Sequence, residues 1–215
     1  MKANTQAQES RKTIYLTLDM DMNGKMYNQY LKQKTLGYDP SLLTYLKENN
    51  VKATFFLSGL FVKAYPETIK DLASTKLFSF QNHSYDESSF VPHCYWLKTL
   101  ESNKAKIDQI SKTEDIIKQA TGQTAVYFRF PGICHNKEAD NLVTGLGFKV
   151  DNGTIISGDP FNNNTEKMVK TIMNQAREKA VIIMHVGGHN SPKSLDVLKQ
   201  IVPELRVRGY EFGER

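Results

Sequence analysis

Short runs rich in β-branched and aromatic residues alternate along this chain with segments of helical periodicity, and several runs hand over directly to a polar, chemistry-bearing residue. Residues 14–18 lead to Asp19, 126–128 to Arg129, and 181–184 to His185. Strands separated by helical segments pair in parallel, because a crossover helix returns the chain to the same edge, so the pattern selects a β/α sheet or barrel. The helices are marked locally. Asp39-Pro40-Ser41 is a helix start, followed by Leu42, Leu43 and Leu46 at helical spacing and closed at Asn49-Asn50. Residues 53–57 are a buried strand, and 61–72 carry apolar residues every three or four positions, which predicts a second βα unit. Ile107, Ile110, Ile117 and Ala120 define one face of a long helix that ends at Gly122. Leu195, Leu198, Ile201 and Leu205 define the face of a late one.

In β/α barrels the C-terminal strand ends build the active site, so Asp19, His83, Arg129 and His185 are expected to converge. Side chains alternate faces along a strand, and Asp19 and Asp21, one residue apart, therefore share a face. An isolated Asp-x-Asp is an ordinary turn; its place in the ordered set makes it a candidate site. With 215 residues, 40% of them hydrophobic, and no Pro/Gly/Ser linker, the chain reads as one domain over 12–215 after a flexible polar lead-in over 1–11. The net charge is +5 and the pI about 9.0. Lys and Arg are scattered, which argues against a nucleic-acid partner. No apolar run approaches the roughly 20 residues of a membrane span. An exported protein, periplasmic or extracellular, whose signal has been removed fits this sequence, and a cytoplasmic one remains open. Cys94 and Cys134 are either one disulfide or two buried thiols; a Cys134–His135 nucleophile pair is disfavoured because sequence neighbours rarely meet in that way.

The ordered segments Leu16-Thr17-Leu18-Asp19-Met20-Asp21, Ala53-Thr54-Phe55-Phe56-Leu57, Asn82-His83-Ser84-Tyr85, Arg129-Phe130-Pro131-Gly132, Ser157-Gly158-Asp159 and Ile182-Ile183-Met184-His185 resemble the polysaccharide deacetylase family, the NodB-homology domain or carbohydrate esterase family 4. The resemblance covers about residues 12–213. It implies a distorted (β/α)7 barrel with a metal site in an open groove and a hydrolase that removes acetyl groups from N-acetylated oligo- or polysaccharide, peptidoglycan or chitin-like. The positive charge would favour an anionic polymer such as peptidoglycan. A monomer is expected.

By the same resemblance Asp19 is the catalytic base, Asp21 and His83 are metal ligands, Arg129 holds Asp19 charged and oriented, and His185 is the general acid, oriented by Asp159. Two departures stand out. Met20 intervenes between aspartates that are often adjacent in the family, so the split of roles between Asp19 and Asp21 stays open. Glu87 stands where a metal-binding histidine is usual; at i and i+4 on a helical turn, His83 and Glu87 would share a face and both reach a metal. Should Glu87 face solvent, Asp86 or His93 would complete the shell. The expected cofactor is a divalent metal, zinc first, with manganese or iron favoured by an extra oxygen ligand. Gly132 or Ile133 would offer a backbone N–H to the oxyanion. Pro160-Phe161 replaces the tryptophan common after the aspartate of the family's fourth motif, so Phe161 is a candidate substrate contact, with Tyr95, Trp96 and Tyr127 as further sugar-stacking aromatics. His135 and His189 are expected at the groove rim. The competing expectation is a catalytically impaired carbohydrate-binding relative, on account of Glu87 and Met20; a barrel hydrolase with another amide substrate is a third.

Overall fold

The computed structural model describes residues 12–189 and 191–215; the lead-in expected over 1–11 lies outside them. The strands are β1 (Lys12–Met20), β2 (Ala53–Leu57), β3 (Phe78–Asn82), β4 (Tyr127–Phe128), β5 (Lys149–Val150), β6 (Ile155–Ile156), β7 (Val181–His185) and β8 (Tyr210–Gly213). The helices are α1 (Gly24–Gln33), α2 (Pro40–Glu48), α3 (Gly59–Ala64), α4 (Pro66–Ala73), α5 (Asn103–Thr121), α6 (Lys137–Gly145), α7 (Thr165–Gln175) and α8 (Ser194–Val207). Seven strands follow the path β5-β4-β3-β2-β1-β7-β6, and β8 pairs with the start of β1; every pairing is parallel. This curled sheet with its helices is the expected distorted (β/α)7 barrel.

The sheet has two chemically different faces. Ile14, Leu16, Leu18 and Met20 of β1 pack with Phe55 of β2, Phe80 of β3, Ile182 and Met184 of β7, and the apolar faces of α2 and α8 in one core. Residues of the other parity point into the barrel, and there the lining is largely polar: Thr17 donates to the Ile182 carbonyl at 2.7 Å, and Thr54 and Ser79 hydrogen-bond at 2.8 Å. Asp19, Asp21, His83 and His185 share this inward parity. The register sets Asp19 opposite both Phe56 and His185 and ends β3 at Asn82, opposite Phe128, so all the strand ends finish at one level.

Local chemistry fixes the helix ends. Asp39 caps α2 by accepting the Ser41 N–H at 2.8 Å, with Pro40 at the first helical position, as read from the sequence. Gly122 ends α5 with a left-handed φ of 73°. The single helix expected over 61–72 is two, α3 and α4, because Pro66 has no N–H to continue the ladder and holds Tyr65 outside helical geometry. Cys94 and Cys134 form a disulfide across 40 residues of sequence, with Cα atoms 5.8 Å apart. It fastens the 89–100 loop, which lies over a second core of Phe90, Ile110, Phe128 and Phe130, to the segment after Arg129. Closing a loop of this length constrains the unfolded chain, so Cys94→Ala/Cys134→Ala is expected to lose about 2–4 kcal/mol of unfolding free energy in urea titration.

Candidate active site

Arg129 follows β4 and is fully buried. Its guanidinium lies over the Phe56 ring at 3.8 Å, its Nη1 donates to Asp19 Oδ1 at 2.5 Å, and its Nε donates to the Asp151 carbonyl at 2.9 Å. Asp151 Oδ1 stands 3.7 Å from Nη2, an ion-pair distance beyond hydrogen-bond reach, while Asp151 Oδ2 accepts from Arg215 Nε at 2.8 Å. Carboxylate and guanidinium thus alternate from Asp19 to Arg215 through the barrel interior. A buried cation is tolerated only when paired, and this row supplies the pairing.

Asp19 Oδ1 is held by Arg129, and Oδ2 turns toward His83, 4.0 Å from its Nε2. His83 Nδ1 lies 2.8 Å from the Arg129 carbonyl. A carbonyl only accepts, so Nδ1 carries the hydrogen and the Nε2 lone pair faces the cluster. Asp21 Oδ1 is 3.3 Å from that lone pair, and Glu87 Oε2 is 3.8 Å from it. Asp21 Oδ1 and Glu87 Oε1 are both buried without a hydrogen-bond partner among the described residues. Donor atoms of Asp19, Asp21 and His83 all lie within 4.8 Å of one another. Buried oxygens, two of them unpartnered, gathered around an imidazole nitrogen are the donor types a divalent metal takes, and this oxygen and imidazole set fits one.

The electrostatics carry the same message. Burial pulls His83 down, but Glu87, then Asp19 and Asp21, outweigh it and push it up to about 10. Burial and the Asp21 charge together raise Glu87 well above the usual carboxylate range. Asp21, although burial raises it, is held well below that range by His185 and His83.

Opposite, His185 Nε2 is 3.3 Å from Asp21 Oδ2, and its Nδ1 is 2.9 Å from Asp159 Oδ1. Asp159 also accepts the His185 backbone N–H at 2.7 Å, Ser194 Oγ–H at 2.6 Å and Ser157 Oγ–H at 2.9 Å. Burial lowers His185, but Asp159 and Asp21 outweigh it and raise it well above its ordinary value. Burial raises Asp159, and the His185 contacts outweigh that to hold it low.

Of the sequence-based candidates, Asp19, Asp21, His83, Glu87, Arg129, His185 and Asp159 come together through these contacts, and the rest of the expectation differs in detail. His83 and Glu87 are not on a helical turn: Ser84 and Glu87 are left-handed, with φ of 68° and 61°. Gln109 Oε1 of α5 takes the N–H groups of Tyr85 and Asp86 at 2.9 and 3.2 Å and ties this loop to the helix. Glu87 is nevertheless buried beside His83, whereas His93 is exposed and Asp86 Oδ1 accepts the Ser88 N–H. Of the two backbone donors expected near the oxyanion, Ile133 gives its N–H to the Phe130 carbonyl at 2.9 Å. Phe161 is 64% exposed, two residues beyond Asp159. His135 is exposed, bonded to Asp140 and stacked on Phe130.

Asp151, Ser194 and Arg215 were not among the sequence candidates. Asp151 directly follows β5, a strand end like the others, and that position is the one signal that could have found it. Asp151→Asn removes half of the charge pairing of a buried guanidinium and is expected to cost about 3 kcal/mol in urea unfolding. Arg215→Gln, at a partly exposed site, is expected to cost about 1 kcal/mol in the same measurement.

A parallel β/α barrel whose strand ends gather a carboxylate–imidazole cluster opposite a carboxylate-held histidine defines a class, and the comparisons with known proteins give its family. Residues 6–150 match the polysaccharide deacetylase family, and the chain belongs to it. It is 26% identical over 182 residues to the peptidoglycan-N-acetylglucosamine deacetylase of Bacillus cereus, covering 82% of this chain and 62% of that protein. It is 27% identical over 204 residues to the peptidoglycan-N-acetylmuramic acid deacetylase PdaA of Bacillus subtilis, covering 94% of this chain and 69% of the relative. The chain thus spans about two thirds of the length of these curated relatives. Among solved structures, peptidoglycan deacetylase PdaC from Bacillus subtilis superposes with a TM-score of 0.71 at 27% identity, over 95% of this chain and 88% of that one. A CE4 family pseudoenzyme from Bacillus anthracis shares the fold, with a TM-score of 0.74 at 23% identity over 95% and 64%.

Proposed function

We propose that this protein is a metal-dependent deacetylase of N-acetylated cell-wall carbohydrate. The observation that carries the reading is the pairing of two preorganised arms across one groove: Asp19 on Arg129, and His185 on Asp159, with the Asp21, His83 and Glu87 oxygens and nitrogen between them. A binding module has no use for an oriented base and an oriented acid together. Similarity to peptidoglycan deacetylases supports peptidoglycan as the polymer. The Cys94–Cys134 disulfide supports an oxidising compartment, and among the described residues no helix is long and apolar enough to cross a membrane.

Asp21, His83 and Glu87 would hold the ion. Bound there, a divalent metal supplies Lewis acidity toward the acetyl carbonyl and lowers the pKa of its water to about 7. Asp19 takes the water's proton at Oδ2, the oxygen that Arg129 leaves free, as the water oxygen bonds to the acetyl carbon. The Gly132 N–H meets the oxyanion. The amide C–N bond breaks as His185 Nε2 gives its proton to the leaving nitrogen, releasing acetate and a free amine on the sugar. Asp159 holds the ring by Nδ1 and keeps the imidazolium charged until that transfer. Glu87 in place of a neutral ligand adds negative charge, which weakens the Lewis acid and suits manganese or iron beside zinc.

The second reading, a catalytically impaired carbohydrate-binding relative, is favoured by that same Glu87. The Bacillus anthracis neighbour is described as a pseudoenzyme, and a mutant of it as having restored enzymatic activity. Metal affinity and acetate release, measured for wild type, Glu87→Ala and Glu87→His on N-acetylglucosamine oligomers and peptidoglycan fragments, separate the two. The deacetylase reading expects stoichiometric metal and acetate release in wild type, both lost in Glu87→Ala. Activity absent in wild type and gained in Glu87→His would establish the impaired relative.

The acid role makes a directional pH prediction. Because Asp159 raises His185, Asp159→Asn removes that support and the imidazolium loses its proton at lower pH. The alkaline limb of the kcat/KM profile is therefore expected to move down in pH, with His185→Ala losing about 10²–10⁴ in kcat. An unmoved alkaline limb would remove His185 from the acid role.

A further inference from the structure

Tyr95, Trp96 and Phe161 stand 61%, 76% and 64% exposed, yet they touch one another. The Tyr95 and Phe161 rings lie 5.6 Å apart at 27°, Tyr95 and Trp96 are 5.8 Å apart, and Trp96 meets Phe161 at 6.1 Å and 77°. Single exposed aromatics are ordinary; three gathered from two segments far apart in sequence mark a contact surface.

The place of the cluster follows from its attachments. Tyr95 and Trp96 come from the 89–100 loop, which the Cys94–Cys134 disulfide joins to the segment following Arg129. A Cβ on Gly132 would sit 2.9 Å from Cys94 Sγ and 3.1 Å from Tyr95 Cδ2, so the backbone donor of the site abuts the platform directly. Phe161 belongs to the turn after Asp159, its N–H on the Gly158 carbonyl at 3.0 Å. The rings therefore bridge the loop beside the base arm and the loop that holds the acid arm.

The loop is also set before any ligand arrives. Ser89 donates its N–H to the Lys98 carbonyl at 2.7 Å, Leu100 returns one to Ser89 at 2.8 Å, and Leu97 bonds Cys94 at 3.0 Å. His93 and Tyr95, on either side of the disulfide, are held left-handed at φ of 60° and 49°. Aromatic side chains with few torsions on a fixed loop lose little entropy on binding.

We infer that Tyr95, Trp96 and Phe161 form a stacking subsite for a pyranose ring of the glycan next to the acetylated residue; this rests on the deacetylase reading. A pyranose has one face of C–H groups and a rim of hydroxyls, so it covers an aromatic face while its polar rim stays in water. The platform is uncharged, and it selects a sugar ring in a chain rather than a charged group on it.

Trp96 is the chain's single tryptophan, so its emission reports this surface directly. The full metal-loaded chain, wild type and Asp19→Asn, is titrated with N-acetylglucosamine, its pentamer and, as a control, phosphatidylcholine/phosphatidylglycerol vesicles. The inference expects a saturable change in Trp96 emission with the pentamer, stronger than with the monosaccharide. Phe161→Ala and Tyr95→Ala are expected to weaken pentamer binding about tenfold in calorimetry, with melting temperature unchanged. In acetate release they are expected to raise KM for the pentamer while leaving kcat nearly constant. No emission change with the pentamer, or a change with vesicles alone, overturns the subsite. Pentamer binding at Trp96 without acetate release would keep the subsite and remove the deacetylase reading; acetate release with silent Trp96 would do the reverse.

Discussion

A guanidinium sealed inside a barrel is the condition around which the other parts are arranged. Arg129 is fully buried, and an arginine cannot shed its charge, so the fold must answer it with carboxylates on fixed elements. Asp19 at the end of β1 and Asp151 just after β5 do so from opposite sides, and Phe56 of β2 floors the plane. The consequence runs both ways. Because Arg129 commits one Asp19 oxygen, the other is aimed into the groove; because the Arg129 carbonyl takes His83 Nδ1, the imidazole offers Nε2 to the same point. One residue thus orients two members of the site, through its side chain and its backbone.

The inner face of the sheet explains how such charge can be housed. Were the barrel filled with aliphatic layers, Asp151 and Arg215 would have no place. Here Thr54, Ser79 and Gln81 line the interior, and the Arg215 carbonyl accepts from Ser79 and Gln81 while its N–H is given to Thr54. Apolar packing is instead concentrated outside, between the sheet and its helices. Stability and chemistry are carried by opposite parities of the same strands, which is why a two-residue periodicity both buries Leu16 and Leu18 and delivers Asp19.

That division also decides what could be read from the sequence. β1, β2, β4 and β7 were legible because each is an apolar run closed by a polar residue, and Asp19, His83, Arg129 and His185 were legible as the residues that close them or occupy matching motifs. β5 and β6 have two residues each, too short for any period to register. The helix α1 has no fully buried residue, and its inner face is the partly buried Met26, Tyr27 and Tyr30, two of the three being tyrosines that carry a weak apolar signal. Ser194, Asp151 and Arg215 reach the site region only through tertiary contacts across 35, 22 and 64 residues, distances at which no local pattern operates. The Tyr65-Pro66 break is written in the chain as a proline, and apolar spacing that continues on both sides of it masks the break.

Glu87 shows where a local rule and the folded protein part. The i, i+4 spacing suggested a shared helical face; the same proximity is reached by a loop with two left-handed residues, tied to α5 through Gln109. Left-handed conformations cost non-glycine residues of order 1 kcal/mol or more each, and they persist only where surrounding contacts demand them. Here Gln109 gathers three donors of the loop, from Ser84, Tyr85 and Asp86, so the backbone strain is offset by satisfied hydrogen bonds. A buried carboxylate with one unpartnered oxygen is a second unfavourable feature at the same residue. The Gln109 bonds answer the strain and leave the electrostatic penalty: the Glu87 oxygen shares one buried cluster with His83 Nε2 and an equally unpartnered Asp21 oxygen, an arrangement that a shared cation would relieve.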